Sequence, residues 1–198
     1  NRLLTSPDRR LTHGQAIEGP GLAKAKYIIT LDIDTVLPGG AAQRLVATLA
    51  HPLNRPRFDP VSRRVIAGYP LLQPRVEIIP TSASRSLFTR VFSGDTGIDL
   101  YTRAVSDVYQ DVFGEGLYVG KGAYDVVAFE RSLAGRIPEN ALLSHDLLEG
   151  IFGRVALATD MLLLEDFPPH YAAYARRLHR WIRGDWQLLP WLLHRVPL

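Results

Sequence analysis

The sequence predicts an α/β sandwich, and three observations carry that prediction. "YIITLDI" is an unbroken apolar, β-branched run followed by a helical pattern, and "GEGLYVGKGAYDV" is a glycine-rich crossing from a short strand into a helix. From Tyr171 to His194 the apolar residues recur with helical spacing. Strands alternating with helices argue for helices layered on a sheet.

The bulk composition is that of one globular domain. The chain has 198 residues, 46% hydrophobic and 22% charged, enough for one sizeable core. Cysteine is absent, which rules out a disulfide framework or a thiolate metal site. The net charge of +3 is a mild basic bias, unlike the concentrated block of a nucleic-acid tail. Of the 23 basic residues only Lys24, Lys26 and Lys121 are lysine, so arginine, suited to forked contacts with phosphates and carboxylates, dominates. No stretch reaches the roughly 20 apolar residues that span a bilayer, and the N-terminus lacks a signal-peptide pattern. Asn1 is not an initiator, and the chain stops while becoming more hydrophobic, so a fragment of a larger protein is expected.

Residues 1–24 are polar and weakly patterned, which predicts a lead-in loop. "YIITLDI" predicts a strand covered on both faces. Pro38-Gly39-Gly40 breaks it, and "AAQRLVATLAH" predicts a helix with Leu45, Val46 and Leu49 on one side. "RVIAGYPLLQPRVEII" predicts a second extended segment, edge-like or bent because prolines interrupt it. Residues 83–113 read as mainly helical, with a break at "SGDTGID". "SHDLLEGIFGRVALATDMLLLEDFPP" mixes a helix, a strand and a stop. In the final helix, 171–198, Tyr174, Leu178 and Trp181 share one face while Arg176, Arg180 and Arg183 share another.

Asp32 and Asp34 fall at the carboxyl end of the first strand, where open α/β sheets bind ligands. Period-two alternation points both to one side, where a divalent cation would neutralise a pair that is otherwise costly beside a buried strand. Oxygen ligands suit Mg²⁺ or Mn²⁺. The plain alternative is a strand-end turn in which Asp34 caps the next helix. "DIDTV" also fits haloacid-dehalogenase-like phosphatases, with Asp32 as nucleophile, and "GDTGID" (94–99) mimics their acidic metal motif. Such a phosphatase needs a lysine before that motif, and none lies between Asp34 and Gly94. The competing chemistry is glycosyl transfer from a nucleotide sugar. There the metal stabilises the leaving diphosphate, and a further carboxylate takes the acceptor's proton. Histidines show no zinc-binding spacing, and no P-loop or nucleic-acid motif is present.

"LDIDT", "GKGAYDV", "SHDLLEG" and "RLHRW" resemble, in order, the D-x-D, glycine-rich, T-E-D and Q-x-x-R-W motifs of processive inverting glycosyltransferases such as cellulose and hyaluronan synthases. "AHPLNRP", "AVSDVYQDVFGEG", "PENALLSHDLLEG", "EDFPPHY" and "HRWIRGDWQ" resemble more closely the glycosyltransferase domain of cyclic β-1,2-glucan synthases, from about Lys26 to Leu192. The resemblance implies an A-type glycosyltransferase fold, a Rossmann-like mixed sheet flanked by helices, with the N-terminal nucleotide-binding part missing. It implies a glucosyltransferase that takes glucose from UDP-glucose and extends a β-1,2-linked glucan acceptor. It also implies a place at the cytoplasmic face of the bacterial inner membrane, as a domain of a membrane protein.

By that resemblance Asp32 and Asp34 hold the metal and Asp146 is the general base; Glu149, one helical turn on, is placed to orient Asp146 or share its proton. Asp146 read plainly is a helix N-terminal cap. Gly120, Lys121 and Gly122 bring backbone close to donor or acceptor, although a tight turn accounts for them equally well. Arg180, Trp181 and Arg183 line the diphosphate and acceptor side, where periodicity alone would give a solvated arginine face with a core tryptophan. Asp107 and Asp111 share a helical face and either orient the site or are simply solvated. Two departures stand out. The T-E-D position reads Ser144-His145-Asp146, and the glutamine of Q-x-x-R-W is Arg177. The arginine-rich final helix with Trp181, Trp186 and Trp191 is a candidate membrane-surface element.

Overall fold

A five-stranded mixed sheet organises residues 25–94, 108–137, 141–142 and 146–193, which the computed structural model describes. The lead-in 1–24, Asp95 and Asp99 of the glycine-rich break, Asp107, Ser144, His145 and the last five residues lie outside the described residues. In chain order the elements are β1 (Tyr27–Thr30), β2 (Thr35–Val36), α1 (Ala41–Ala50), β3 (Arg57–Phe58), β4 (Val65–Ala67) and β5 (Leu71–Ile78). Next come α2 (Pro80–Ala83), α3 (Leu87–Phe92), α4 (Val108–Phe113), β6 (Gly122–Asp125) and α5 (Val126–Leu133). The chain closes with α6 (Asp146–Gly153), β7 (Val155–Glu165), α7 (Tyr171–Trp186) and α8 (Leu189–Leu192). Strand order is β1-β6-β5-β7-β2, with β5 and β7 parallel and the other neighbours antiparallel, while β3 and β4 form a separate hairpin. A mixed sheet flanked by helices is consistent with a fragment of a Rossmann-like glycosyltransferase.

Strand alternation builds a core on each face of the sheet. Leu72 and Ala123 meet Leu45 and Leu49 of α1, together with Ala158 and Met161, and Tyr27 and Ile29 pack on that side. Leu71, Tyr124 and Val155 meet Val126 and Phe129 of α5, with Ile28 packing there. A third cluster joins Leu148 and Phe152 of α6 to Trp191 of α8. Asp125 terminates β6 and starts α5, its carboxylate accepting from the Ala128 amide at 2.9 Å.

Three elements differ in placement from the sequence reading. β1 touches a core on each face, but it lies at the sheet edge, paired only with β6, so all four residues remain half-buried. β5, expected at an edge because of its prolines, is central. Its pairing with β6 involves only Leu71 and Leu72, so Pro74 sits where no β6 partner needs its missing N–H. The expected bend is real: register with β7 shifts between Pro74 and Arg75, leaving Thr159, Asp160 and Met161 without β5 partners. The C-terminal helix is two helices. Pro190 cannot accept a place four residues after Trp186 in a continuous helix, and α7 ends at Trp186.

Candidate active site

The two aspartates are aligned by a turn rather than by strand alternation. β1 ends at Thr30, and the Thr35 amide donates to the Asp32 carbonyl at 3.0 Å, closing a turn that throws Ile33 fully into solvent. The chain then re-enters the sheet as β2, whose Thr35 is paired with Glu165 at the end of β7. That pairing delivers a third acid. Carboxylate oxygens of Asp32, Asp34 and Glu165 all lie within 4.8 Å of one another. Asp34 does not cap α1, whose N-cap is Gly40.

Two cations are interleaved with these acids. Lys121 is buried, and its Nζ donates to Glu165 Oε1 at 2.5 Å and to Asp32 Oδ2 at 3.2 Å. The register Thr30↔Gly122 between β1 and β6 places Lys121 beside the D-x-D turn. Arg177 of α7 donates to Glu165 Oε2 at 3.2 Å, stands 3.6 Å from Asp34 Oδ2, and lies over the Trp181 ring at 4.6 Å. Burying an ammonium is tolerable only because it is paired.

The flanking glycines tie this corner to the next motif. Gly122 runs so close to β5 that a Cβ there would lie 2.1 Å from the Leu72 carbonyl oxygen. Gly120, at φ 83°, faces the carboxylate of Asp146, whose atoms would lie 2.7–2.9 Å from a Cβ. The loop is fixed from β5 as well, the buried Gln73 accepting from the Val119 amide at 3.0 Å. Asp146, the first residue of α6, therefore abuts the residue beside Lys121.

Around Asp146 the surroundings are enclosed. α6 lies against Tyr118 through Gly150, and the buried Tyr118 hydroxyl shares a 3.0 Å hydrogen bond with Thr30 Oγ1. Burial, then the charges of Glu149 and Asp146, hold the Tyr118 hydroxyl well above its ordinary range, so it stays protonated. Burial, and secondarily the charge of Asp146, pushes the Glu149 carboxyl up to about 7. Glu149 thus keeps its proton closer to neutrality than an ordinary glutamate does.

On the other side of Asp34 a cavity of about 540 Å³ is bordered by Arg85, Arg176, Arg177 and Arg180, with Asp166 and Pro168 beyond them. At its cationic rim an anionic group would meet several guanidiniums at once. A second cavity, of about 740 Å³, is apolar and runs between α6, α7 and α8, away from the acids.

No protein-family model matches the chain. It is 53% identical over 170 residues to the cyclic β-(1,2)-glucan synthase NdvB of Rhizobium meliloti (strain 1021), across 85% of this chain. The chain belongs to the cyclic β-(1,2)-glucan synthase family. It spans only 6% of the length of that synthase.

Within this synthase segment, the residues singled out from sequence fall into two groups. Asp32, Asp34, Gly120, Lys121, Gly122 and Asp146 form one contiguous corner, and Arg180 borders the cavity next to Asp34. Trp181 is half-buried under Arg177, whereas Arg183 and Asp111 are exposed and line neither cavity. Lys121 beside Asp32 also removes the sequence argument against a phosphatase, because the fold supplies the lysine that the Asp34–Gly94 interval lacks. Membership of the synthase family takes that argument's place. Two residues were not singled out. Glu165 ends the run "MLLLE", and the strand-end rule that flagged Asp32 and Asp34 applies to it equally. Arg177 enters the sequence reading only as a departure from glutamine. Among the described residues no helix is long and apolar enough to cross a membrane.

Proposed function

We propose that the chain is the catalytic segment of an inverting, metal-dependent glucosyltransferase that uses UDP-glucose to extend a β-1,2-glucan. The observation that carries this reading is the double contact of the Gly120–Lys121 unit, which meets Asp32 of the D-x-D pair on one side and Asp146 on the other. Likeness to a synthase named for cyclic β-(1,2)-glucan supports the product class. The place we assign to the native protein, the cytoplasmic face of the inner membrane, follows from the same family reading.

The donor set fits a divalent cation. Three carboxylates converge, the oxygens are hard ligands, and Asp32 keeps about half of its side chain in solvent. Asp32 and Asp34 would hold Mg²⁺ or Mn²⁺, which when bound supplies charge stabilisation for a departing diphosphate. Arg180 and its neighbours on the cavity rim bind the diphosphate and orient it towards that corner. The Trp181 indole, capped by Arg177, offers its exposed part to the sugar side. Asp146 takes the acceptor hydroxyl's proton at its carboxylate as the new glycosidic bond forms. Its neighbour Glu149 keeps its own proton near neutrality and the Tyr118 hydroxyl stays protonated, so neither competes for that proton.

The test is transfer from UDP-[¹⁴C]glucose by the native polypeptide containing this chain, with Mg²⁺, Mn²⁺ or chelator, followed by linkage analysis. Metal-dependent formation of β-1,2-linked glucose is expected. A different linkage, full activity in chelator, or beryllofluoride trapped on Asp32 as in a phosphatase would overturn the reading.

A further inference from the structure

Five charged side chains at the D-x-D corner alternate in sign. Asp32, Lys121, Glu165, Arg177 and Asp34 follow one another through contacts of 3.2, 2.5, 3.2 and 3.6 Å. Glu165 is the middle member and the most enclosed acid, its side chain 11% exposed against 53% for Asp32 and 32% for Asp34. Its two oxygens divide the load. Oε1 accepts from the Lys121 ammonium and, at 3.4 Å, from the Thr35 hydroxyl, while Oε2 accepts from Arg177.

Neither cation can simply leave. The Lys121 side chain is 7% exposed and that of Arg177 18%, so each needs a carboxylate partner where it stands. Three carboxylates are within their reach, and two of these are the pair assigned to the metal. Any cation seated by Asp32 and Asp34 therefore competes with Lys121 and Arg177 for the same oxygens. Both side chains stand closer to Glu165 than to either aspartate, which keeps that competition weak.

We propose that Glu165 is the positioning residue of the cation seat: it carries Lys121 and Arg177 on its two oxygens and so prevents them from closing on Asp32 and Asp34. The proposal rests on the reading of Asp32 and Asp34 as metal-holding residues. Charge balance gives it a signature that a structural role or direct ligation by Glu165 does not share. The cluster holds three acids and two cations. Glu165→Gln leaves two of each, with the ammonium driven onto Asp32. Adding Lys121→Met removes the displaced competitor and restores the original net charge.

The experiment is Mn²⁺ binding to the native polypeptide containing this chain, without nucleotide sugar, read from the paramagnetic resonance signal of free Mn²⁺. Glu165→Gln is expected to weaken binding about 10–100-fold, the usual effect of losing a partner behind the ligands. The Glu165→Gln/Lys121→Met double variant is expected to return to within about threefold of the parent. Lys121→Met alone, in an otherwise intact cluster, is expected to tighten binding at least about fivefold, and it serves where Glu165→Gln fails to fold. Unchanged binding in Glu165→Gln, a double variant as weak as the single, or unchanged binding in Lys121→Met overturns the proposal. Loss of binding in Asp32→Asn and Asp34→Asn with no effect of Glu165→Gln would sink this inference alone. Mn²⁺ binding absent from the parent, or surviving both aspartate substitutions, would remove the metal reading and this inference with it.

Discussion

Replacing Gly120 by alanine should disable transfer without touching donor binding. The residue has φ 83°, and an alanine held there costs about 1–2 kcal/mol of backbone strain. A Cβ would stand 2.7 Å from Asp146 Oδ2, where ordinary contact begins at 3.4 Å, so the carboxylate must retreat by the better part of an ångström. That atom is the end of a rotatable side chain, so the fold survives and the retreat falls on the proposed base. Misplacement on this scale costs about 10–100-fold in turnover when geometry governs the step. The neighbouring glycine supplies the control. A Cβ at Gly122 would be 2.1 Å from the backbone oxygen of Leu72 and 3.1 Å from Pro74 Cδ, a collision that only separation of β5 from β6 relieves. Initial rates at saturating UDP-glucose, UDP binding by calorimetry and thermal unfolding should be measured for both variants in the native polypeptide. Gly120→Ala should lose rate, keep UDP affinity and unfold slightly earlier, whereas Gly122→Ala should lose the fold. Wild-type rate in Gly120→Ala, or a defect confined to UDP affinity, would refute the placement of Asp146 as the group that meets the acceptor.

Three further outcomes follow from the same geometry. Asp146→Asn removes the proton acceptor and should lower transfer by about 10²–10⁴-fold while UDP binding is retained; equal turnover would dismiss the role. Glu149, held up to about 7 by burial from an ordinary 4.5, favours the folded state most below pH 4.5 and loses that advantage as pH rises through 7. Glu149→Gln should therefore gain about 1–3 kcal/mol relative to the parent between pH 5 and pH 8, read by thermal unfolding of the chain; parallel pH profiles would contradict it. Leu45→Ala opens a cavity between α1 and the sheet and should cost about 2–5 kcal/mol in denaturant unfolding; a loss below 1 kcal/mol would mean that α1 is not seated as described.

What was legible in the sequence is what local chemistry dictates. "AAQRLVATLAH" predicts the helix α1 with Leu45 and Leu49 on its core side, and "GEGLYVGKGAYDV" predicts the crossing from β6 into α5. At Asp32 and Asp34 that reasoning and the structure part. Strand periodicity predicts their common direction, whereas β1 has already ended and a hydrogen-bonded turn aligns them. Strand order was not legible at all. Whether a proline is tolerated in the middle of a sheet depends on how far its neighbour extends, and β6 is only four residues long.

Glu165 shows where such reading stops. Nothing within "MLLLEDFPP" distinguishes it from Asp166, the next residue, which is half-exposed and paired with Arg85. The difference arises from register: Thr35 of the short β2 is opposite Glu165, so this residue, and not its neighbour, is presented to the D-x-D turn. Its partners come from β6 and α7, 44 residues before it and 12 after it in sequence. A charge that would be costly alone at the end of a buried strand is stabilised by two cations that are themselves enclosed. Glu165 stands between the two cations and takes the shorter contact of each, so it accounts for most of the pairing that lets Lys121 and Arg177 be enclosed. An alternating series of this kind resists single substitutions at its centre more weakly than at its ends, because a centre removed leaves two enclosed cations to find new partners. For that reason the loss in Glu165→Gln should exceed the loss in Asp32→Asn when both are measured as folding stability, even though Asp32 stands closer to the chemistry.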